Sequence, residues 1–248
     1  QRTQRTQRTV EQHDTMSNRR PLGIERAVIG GSLASITGHA EYRAAKAGDL
    51  AAAVRLAKDI VTDGLVHQVR EVIGGRRPAI IPVISIEAGG WNKIPHAAAE
   101  VLGARLALDV VPGIVQSNMP FRTALSGLDR IFASPAFDGE VGPGQDYLIL
   151  DDTLTQGGTF AALAGHVECG GGRVIGAVAL TGKQYSAILR PTPATLSALR
   201  ETHGNLETAF RAATGHEFDC LTESEARYLA NFKPAHAVRD RILAEAGR

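Results

Sequence analysis

Two adjacent carboxylates followed by a loop of hydroxyls and glycines are the residues of this chain best suited to chemistry. Asp151 and Asp152 follow the apolar run from Tyr147 to Leu150, whose length is typical of a buried parallel strand. The segment from Thr153 to Thr159 comes next, and Phe160 to Val167 predicts a helix. A Gly/Thr loop that leads into a helix offers backbone N–H groups and short hydroxyls to a phosphate. The two acids can bind ribose hydroxyls or hold a divalent metal through oxygen.

A purely structural interpretation of the same stretch is a buried strand, a glycine turn and two aspartates that cap the next helix. The complete pattern nevertheless resembles the phosphoribosyl-pyrophosphate (PRPP) site of type I phosphoribosyltransferases. The resemblance implies that Asp151 and Asp152 bind the ribose 2- and 3-hydroxyls and approach a metal indirectly, through ribose or water. It also implies a 5-phosphate site made by Thr153, Thr155, Gln156, Gly157, Gly158 and Thr159.

A second glycine-bearing loop follows an earlier apolar run, Ala79 to Ile86, which predicts a strand. Because Pro82 cannot donate to a sheet ladder, we expect the paired part to run from Val83. The loop leads to a helix predicted from Pro95 to Leu102, and a plain strand-to-helix connection also explains it. In the phosphoribosyltransferase family this position holds the pyrophosphate-binding loop, which implies that role here for Glu87, Ala88, Gly89, Gly90 and Lys93.

The stretch from Pro112 to Ser126 has little periodicity, which is typical of a loop that covers a site. A strand is predicted before it, from Arg105 to Val111. The family has a flexible loop between its second and third core strands, and the resemblance implies that role for a segment containing Ser117 and Arg122. Short strands are predicted after it at Ile131 to Ala133 and Phe137 to Val141.

Strands and helices alternate through the middle of the chain, and the strand predicted at Val174 to Leu180 follows the central motif. This order favours an α/β fold with a doubly wound, mainly parallel sheet, and the resemblance implies a sheet of the type I phosphoribosyltransferase kind over residues 78–182. Lys183, just beyond the last strand, is open to two interpretations: a contact to a base carbonyl or a solvated lysine.

The predicted organisation has four parts. Residues 1–20 begin with a polar, basic repeat that cannot bury enough apolar surface to order itself, so we expect a disordered tail. Residues 21–77 read as a helical N-terminal flank and residues 78–190 as the phosphoribosyltransferase-like core. Residues 191–248 read as a helical C-terminal tail, which includes a capping box of Thr222 with Glu225.

Composition limits the classes of partner. The 248 residues have a formal net charge of +1, which argues against binding nucleic acid through many phosphates. No apolar run approaches the roughly 18 residues of a membrane span, so we expect no membrane contact. Two cysteines provide no disulfide or metal framework, and we therefore expect a cytoplasmic protein. A homodimer stays open.

The reaction that the resemblance implies is displacement at the anomeric carbon of PRPP, with Mg²⁺ as cofactor and pyrophosphate as leaving group. Such a site must anchor the ribose phosphate and neutralise the departing charge, and no protein nucleophile is needed. The acceptor stays open between a nucleobase, another amine and water. Thr155 stands where hypoxanthine-guanine enzymes place an aspartate, and residues 112–126 lack the lysines and histidine of an orotate enzyme. No catalytic base is identified.

A second hypothesis is a regulatory protein that senses PRPP without transferring its phosphoribosyl group. The two hypotheses share one expectation about the acidic pair, Asp151 and Asp152. If these carboxylates bind ribose, we expect them to be unpaired in the free protein and their neutralisation to cost little stability.

Overall fold

A parallel four-stranded sheet forms the centre of the protein, as seen in a computed structural model that describes residues 18–87, 90–118 and 125–247. Its strands are β1 (Val28–Gly31), β2 (Ala79–Pro82), β7 (Asp146–Leu154) and β8 (Arg173–Gly182). They are arranged in the order β1-β8-β7-β2, and all three pairings are parallel. Two small antiparallel pairs lie outside this sheet: β3 (Ile86–Glu87) with β4 (Gly90–Trp91), and β5 (Val115–Gln116) with β6 (Phe137–Asp138).

Helices cover both faces of the sheet, because its central strands alternate apolar side chains to either side. Ile80, Leu148 and Leu150 belong to a core shared with α3 (Leu50–Ile60), α4 (Asp63–Ile73) and α5 (Ile94–Leu106). Ile81 and Ile149 belong to the opposite core, shared with α7 (Gly158–Cys169). The predicted α/β class, with a doubly wound and mainly parallel sheet, is confirmed.

The N-terminal flank also contains two short helices, α1 (Leu33–Thr37) and α2 (Tyr42–Lys46). The side chains of Asp49 and Thr62 accept hydrogen bonds from backbone N–H groups at the starts of α3 and α4. Gly74 ends α4 in the left-handed conformation, which glycine adopts without strain. The flank is not purely helical, since Val28–Gly31 pairs with β8 as an edge strand of the sheet.

The C-terminal tail forms its own hydrophobic core with α6 (Gly127–Phe132). Its helices are α8 (Pro193–His203), α9 (Glu207–Thr214), α10 (Glu223–Asn231) and α11 (Ala235–Ala246). The predicted capping box of Thr222 with Glu225 is present at the start of α10. Ile131 is fully buried in this core, so the prediction of a strand at Ile131 to Ala133 was wrong: tertiary packing favours the helix.

Two other strand predictions differ from the structure. The segment from Arg105 to Val111 is not a strand, because α5 continues through Leu106 and Ala107 ends it in the left-handed conformation. Only isolated bridges, such as Ile80 with Val110, remain beside β2. The prediction that pairing begins after Pro82 was also wrong, since β2 ends there. Proline is tolerated at this strand end because pairing on the other side of β2 is irregular.

Residues 18–20, the described part of the predicted N-terminal tail, are ordered. Arg19 is 4% exposed and pairs with Glu225 on α10, so the prediction of a disordered tail was wrong for residues 18–20. A buried guanidinium that forms an ion pair and several hydrogen bonds can order a segment whose polar, basic composition alone predicts disorder. The remainder of that predicted tail, residues 1–17, lies outside the described residues.

Candidate functional site

The carboxyl ends of three parallel strands meet at one edge of the sheet, and the acidic pair and Lys183 lie at or just beyond it. β7 contains the acidic pair and leads to the start of α7. β2 leads to the hairpin segment, which we define as residues 86–87 and 90–93, and β8 leads to Lys183. Parallel sheets bind ligands at this edge because the loops that leave the strands there converge.

The acidic pair lies within β7, where the sequence analysis expected the strand to have ended. β7 continues to Leu154 because it pairs with β8 throughout, with Asp151 opposite Ala179 and Thr153 opposite Thr181. The Thr153 and Thr181 hydroxyls lie 3.3 Å apart, and Thr181 Oγ1 donates to the Asp152 carbonyl at 3.1 Å. The strand therefore fixes the backbone of the acidic pair on a rigid element.

Asp152 is 5% exposed and has charged and polar partners in the free protein. Lys46 Nζ on α2 lies 3.1 Å from its Oδ2, and Asn92 Nδ2 donates to the same oxygen at 2.9 Å. The expectation of an unpaired carboxylate was therefore wrong for Asp152. A carboxylate buried this deeply requires a counter-charge or several donors. Asp151 accepts a hydrogen bond at Oδ1 from the Asp152 backbone N–H, at 2.8 Å.

The Thr/Gly loop, defined as residues 155–159, turns from β7 into α7 at Gly157. Gly157 has φ +83°, a left-handed conformation that favours glycine. A Cβ on Gly157 would lie 3.1 Å from both Leu189 Cδ2 and Thr222 Cγ2. Gly158 and Thr159 are the first residues of α7, where backbone N–H groups have no partner within the helix. The loop thus has the backbone geometry of an anion site.

Residues far away in the sequence bind the Thr/Gly loop from behind. Arg19 Nη2 donates to the Gly158 carbonyl at 3.1 Å, and the Thr222 hydroxyl donates to the Gln156 carbonyl. Arg19 also forms a two-pronged ion pair with Glu225, at 2.8 and 3.0 Å. Glu225 in turn accepts from the Thr222 N–H at 3.0 Å. Two carbonyls of the loop are therefore fixed by a buried network from the N-terminal segment and the C-terminal tail.

Electrostatics keep this network ionised. Burial raises the pKa of Glu225, but the charge and hydrogen bonds of Arg19, together with the Thr222 N–H, outweigh burial and lower the pKa overall. His216, also buried, is the neighbour that must stay neutral. Burial, followed by the positive charge of Arg19, lowers the pKa of His216 from 6.5 to about 4. The Arg19–Glu225 pair is therefore charged and His216 neutral near pH 7.

Besides Lys46 on α2, the hairpin segment contributes a second cation, Lys93, on the segment that follows β2. Lys93 Nζ lies 5.0 Å from the centre of the Trp91 ring, and the neighbouring Asn92 reaches Asp152. Asn92 Oδ1 also accepts from the Ile94 N–H at 3.1 Å, which fixes the start of α5. Glu87 and Gly90 pair backbone to backbone in β3 and β4. Ala88 and Gly89 lie outside the described residues.

Lys183 and Ser117 lie on two other segments. Lys183 Nζ is 5.6 Å from the centre of the exposed Tyr185 ring, so its side chain contacts an aromatic surface. The Ser117 N–H donates to the Ala136 carbonyl at 2.9 Å, which fixes the stem of the predicted covering loop. Arg122 lies outside the described residues.

The sequence did not predict the roles of Lys46, Asn92 and Arg19, nor the hydrogen bond from Thr222 to the Gln156 carbonyl. Asn92 lies inside the loop from Glu87 to Lys93 that the sequence already identified as a candidate site. Its side-chain amide, which can donate to a carboxylate, could have identified it. The capping box revealed Thr222 and Glu225 as the start of a helix, but not their contact with Gln156 or Arg19. Lys46 and Arg19 had no local signal, since each is one basic residue in a segment read as a flank or a tail.

Within residues 18–87, 90–118 and 125–247, the structure contains neither a preformed cluster of metal ligands nor a membrane-spanning helix. No group of three or more His, Cys, Asp or Glu side chains in these ranges could hold a metal ion. A magnesium ion at this edge would therefore need oxygen ligands from a substrate and water besides the acidic pair, as is common for this ion. Across the same ranges, no helix combines the length and apolar character needed to cross a bilayer.

Two curated proteins are similar to this chain in sequence. Protein TraN of Escherichia coli is 41% identical over 230 residues, which is 92% of this chain and 51% of TraN. An uncharacterized protein of Haemophilus influenzae is 43% identical over 140 residues, which is 56% of this chain and 31% of that protein. The chain thus spans about half or less of the length of the curated relatives it matches. No protein-family model matches the chain.

Solved structures with some similarity are adenine phosphoribosyltransferases. The Saccharomyces cerevisiae enzyme has a TM-score of 0.38 and 16% identity, with 53% of this chain and 70% of that chain covered. The Rhodothermus marinus enzyme has a TM-score of 0.35 and 20% identity, with 61% and 73% covered. TM-scores below 0.5 do not establish a common fold, so the fold described above rests on this chain's own strand order and register.

Proposed function

We propose that this chain binds PRPP at the carboxyl edge of its parallel sheet and transfers the phosphoribosyl group to a small acceptor with release of pyrophosphate. One observation supports the proposal above all others. The acidic pair on β7 and the Thr/Gly loop that opens α7 are consecutive in one rigid strand-loop-helix unit. This unit presents carboxylates for two hydroxyls next to backbone N–H groups for one phosphate, which is the order of groups along a ribose 5-phosphate.

In this proposal each part of the edge has one task. Asp151 and Asp152 accept hydrogen bonds from the ribose hydroxyls, and the N–H groups of Gly158 and Thr159 bind the 5-phosphate. Lys93, on the hairpin segment beside Asn92, balances the negative charge of the leaving pyrophosphate. Holding both ends of the sugar phosphate fixes the anomeric carbon for attack, which supplies much of the rate enhancement in reactions of this type.

Mg²⁺, as the proposed cofactor, supplies further neutralisation of the diphosphate charge when it is bound. The acidic pair would hold it through ribose or water, since Mg²⁺ usually keeps several waters and binds through one or two carboxylates and the phosphates of its substrate. The acceptor is proposed only by class, as a nucleobase or another amine. The Tyr185 and Trp91 rings, 59% and 48% exposed, lie on the segments that follow β8 and β2 and are flat apolar surfaces on which a planar acceptor could stack.

A non-catalytic PRPP sensor is the second candidate, and one specific observation favours it. Asp152 has Lys46 and Asn92 as partners in the free protein, so a ligand that binds this carboxylate can rearrange contacts that connect the core to the N-terminal flank. Such a rearrangement can signal occupancy to a partner or to the remainder of a longer protein. The relatives of this chain are longer than the chain itself.

Release of pyrophosphate separates the two candidates. The purified protein is incubated with PRPP, Mg²⁺ and a panel of nucleobases and amines, and released pyrophosphate is measured with a coupled enzyme assay. Transfer predicts acceptor-dependent release that disappears in Asp151→Asn/Asp152→Asn, with the exposed Lys58→Met on α3 as a matched control that retains activity. Saturable PRPP binding with no release for any acceptor would reject transfer and favour the sensor.

A further inference from the structure

The C-terminal tail contacts the Thr/Gly loop at a peptide group that also carries one of the loop N–H groups. The Thr222 hydroxyl donates to the Gln156 carbonyl, and the same peptide group ends in the N–H of Gly157. Among the described residues the one cis peptide bond is Lys233–Pro234, so the bond before Gly157 is trans. In a planar trans peptide the C=O and the N–H point in opposite directions. The Gly157 N–H is therefore directed away from Thr222 and α10.

This hydrogen bond acts on a peptide group that the helix itself does not fix. α7 begins at Gly158, and the hydrogen bonds of a helix orient the peptide groups within it. The Gln156 carbonyl precedes α7, and its donor, Thr222, is 66 residues away in sequence. Gly157, between them, has φ +83° and is the residue at which the chain turns. The tail therefore fixes the orientation of the loop immediately before the helix.

The same network joins the loop to the N-terminal segment. Arg19 Nη2 donates to the Gly158 carbonyl at 3.1 Å, and Arg19 Nε donates to Ser134 Oγ at 3.1 Å. Its ion pair with Glu225 connects these contacts to α10, and both side chains are buried. A partly satisfied buried polar network is unfavourable, so separation of α10 from the loop disrupts the contacts of Arg19 and Thr222 together.

We propose that Thr222 and Arg19 are positioning residues that orient the peptide groups of the Thr/Gly loop toward the 5-phosphate, so that phosphate binding and docking of the C-terminal tail stabilise each other. This inference rests on the proposed function and adds a means of regulating it. An occupied loop holds the tail in place. Displacement of the tail lowers the affinity for the sugar phosphate by the same factor, because coupling between two binding equilibria is reciprocal.

Cys220 is a natural probe of tail docking. It lies two residues before Thr222 and is 7% exposed. Burial raises the pKa of its thiol to about 12, so it reacts slowly with a thiol reagent while the tail is docked. The chain has one other cysteine, the exposed Cys169. All measurements therefore use a Cys169→Ser background, in which the serine oxygen can still accept the hydrogen bond from Arg20.

The rate of Cys220 modification is measured with and without ribose 5-phosphate, at the same fractional saturation for each variant. We expect the ligand to slow modification by about tenfold or more. Thr222→Ala loses most of this protection, and Thr222→Ser, which keeps the hydroxyl, retains it. Thr192→Ala is the matched control, because it removes the side-chain cap of α8 in the same tail and should keep the protection.

Two outcomes would overturn the coupling. One is an unchanged modification rate when ligand is bound. The other is equal protection in Thr222→Ala and Thr192→Ala, which would mean that the ligand protects Cys220 only against global unfolding.

Hydrogen exchange of wild type keeps the test valid if Thr222→Ala does not fold. Ribose 5-phosphate should slow exchange in α10 more than in α4, which packs in a different hydrophobic core. Equal slowing in the two helices would also reject the coupling. Failure of folded wild type to bind both ribose 5-phosphate and PRPP would instead reject the proposed function, and this inference with it.

Discussion

The two ends of the central motif are held in different ways. At the Thr/Gly loop, Arg19 and Thr222 bind backbone carbonyls from behind, and the loop N–H groups can bind an anion without breaking those contacts. At the acidic pair, Lys46 and Asn92 bind the carboxylate oxygen itself. The loop end is thus held through its backbone carbonyls, whereas at the acidic end other residues of the chain bind the carboxylate that is proposed to bind ligand.

Because of this difference, we expect substitutions at the loop end to change mainly folding stability and substitutions at the acidic pair to change mainly ligand selection. Changes behind the loop should alter folding first and affinity for every phosphate ligand equally. Changes at the acidic pair should alter which ligand binds. A preorganised anion site costs little rearrangement on binding, while an ion pair at the ligand-binding carboxylate can favour some ligands over others.

The largest expected effect comes from Arg19→Met, at the loop end. This change leaves Glu225 charged and fully buried without its guanidinium partner, and we expect a loss of about 3 to 5 kcal/mol in the free energy of unfolding. Chemical denaturation followed by circular dichroism measures it. Arg211→Met is the matched control, because its ion pair with Glu217 is exposed at the surface and should contribute at most about 1 kcal/mol. Equal midpoints for the two variants would mean that the N-terminal segment does not hold the loop.

Acid should weaken the loop end through His216. As pH falls below 6.5, the unfolded state binds a proton at this residue, while the folded state resists until about pH 4. The unfolded state then carries more protons, so stability falls as pH falls through this window. The loss is on the order of 3 kcal/mol at about 1.4 kcal/mol per pH unit.

The measurement is the free energy of unfolding at several pH values for wild type and His216→Gln. We expect the variant to lack the part of the slope between pH 6.5 and 4 that His216 causes, while the slope from the carboxylates remains in both proteins. Parallel pH profiles for wild type and variant would show that His216 is not held neutral in the folded protein.

At the acidic end, Asp152→Asn should now cost stability, contrary to the expectation from sequence. Removing the carboxylate removes the ion pair between Lys46 Nζ and Asp152 Oδ2, and we expect a loss of about 1 to 3 kcal/mol in the unliganded protein. The same change in the presence of Mg²⁺ should weaken PRPP binding by about tenfold or more. Thermal melts with and without ligand measure both. A variant as stable as wild type would indicate that Lys46 and Asp152 do not form an ion pair in solution.

The smallest effect is expected for Thr222→Ala. It removes the side-chain cap of α10 and the hydrogen bond to the Gln156 carbonyl, with an expected loss of about 1 to 2 kcal/mol. PRPP and ribose 5-phosphate affinities should fall by the same factor, because the loop that binds the shared 5-phosphate becomes less ordered. Unequal losses for the two ligands would contradict the division between the two ends.

The sequence predicted the parts of this site that depend on local patterns. The apolar run before Asp151, the glycine loop and the following helix form one continuous pattern, and the capping box of Thr222 with Glu225 predicted the start of a helix, α10. Failures arose where tertiary packing outweighed local preference. Ile131 is helical because the tail core buries it, and β7 continues through Leu154 because β8 runs alongside it.

The supports of the site could not be predicted, because their partners are distant in sequence. Arg19 and Glu225 are 206 residues apart, and Asn92 and Asp152 are 60 residues apart. Such pairs produce no periodic pattern in the sequence. A single polar residue in a helix or a tail is usually exposed to solvent, so its type alone does not indicate a buried partner. Only the packing of the flank and the tail onto the sheet brings these side chains to the motif.

The central claim is that the acidic pair and the Thr/Gly loop bind PRPP together, and one titration tests it most directly. Wild type and Asp151→Asn/Asp152→Asn are titrated with PRPP and Mg²⁺ in a calorimeter, after circular dichroism establishes that both are folded. The account predicts saturable binding by wild type with one ligand per chain, and an affinity at least about a hundredfold lower in the double variant. No saturable binding by folded wild type, or equal affinities for the two proteins, would contradict it.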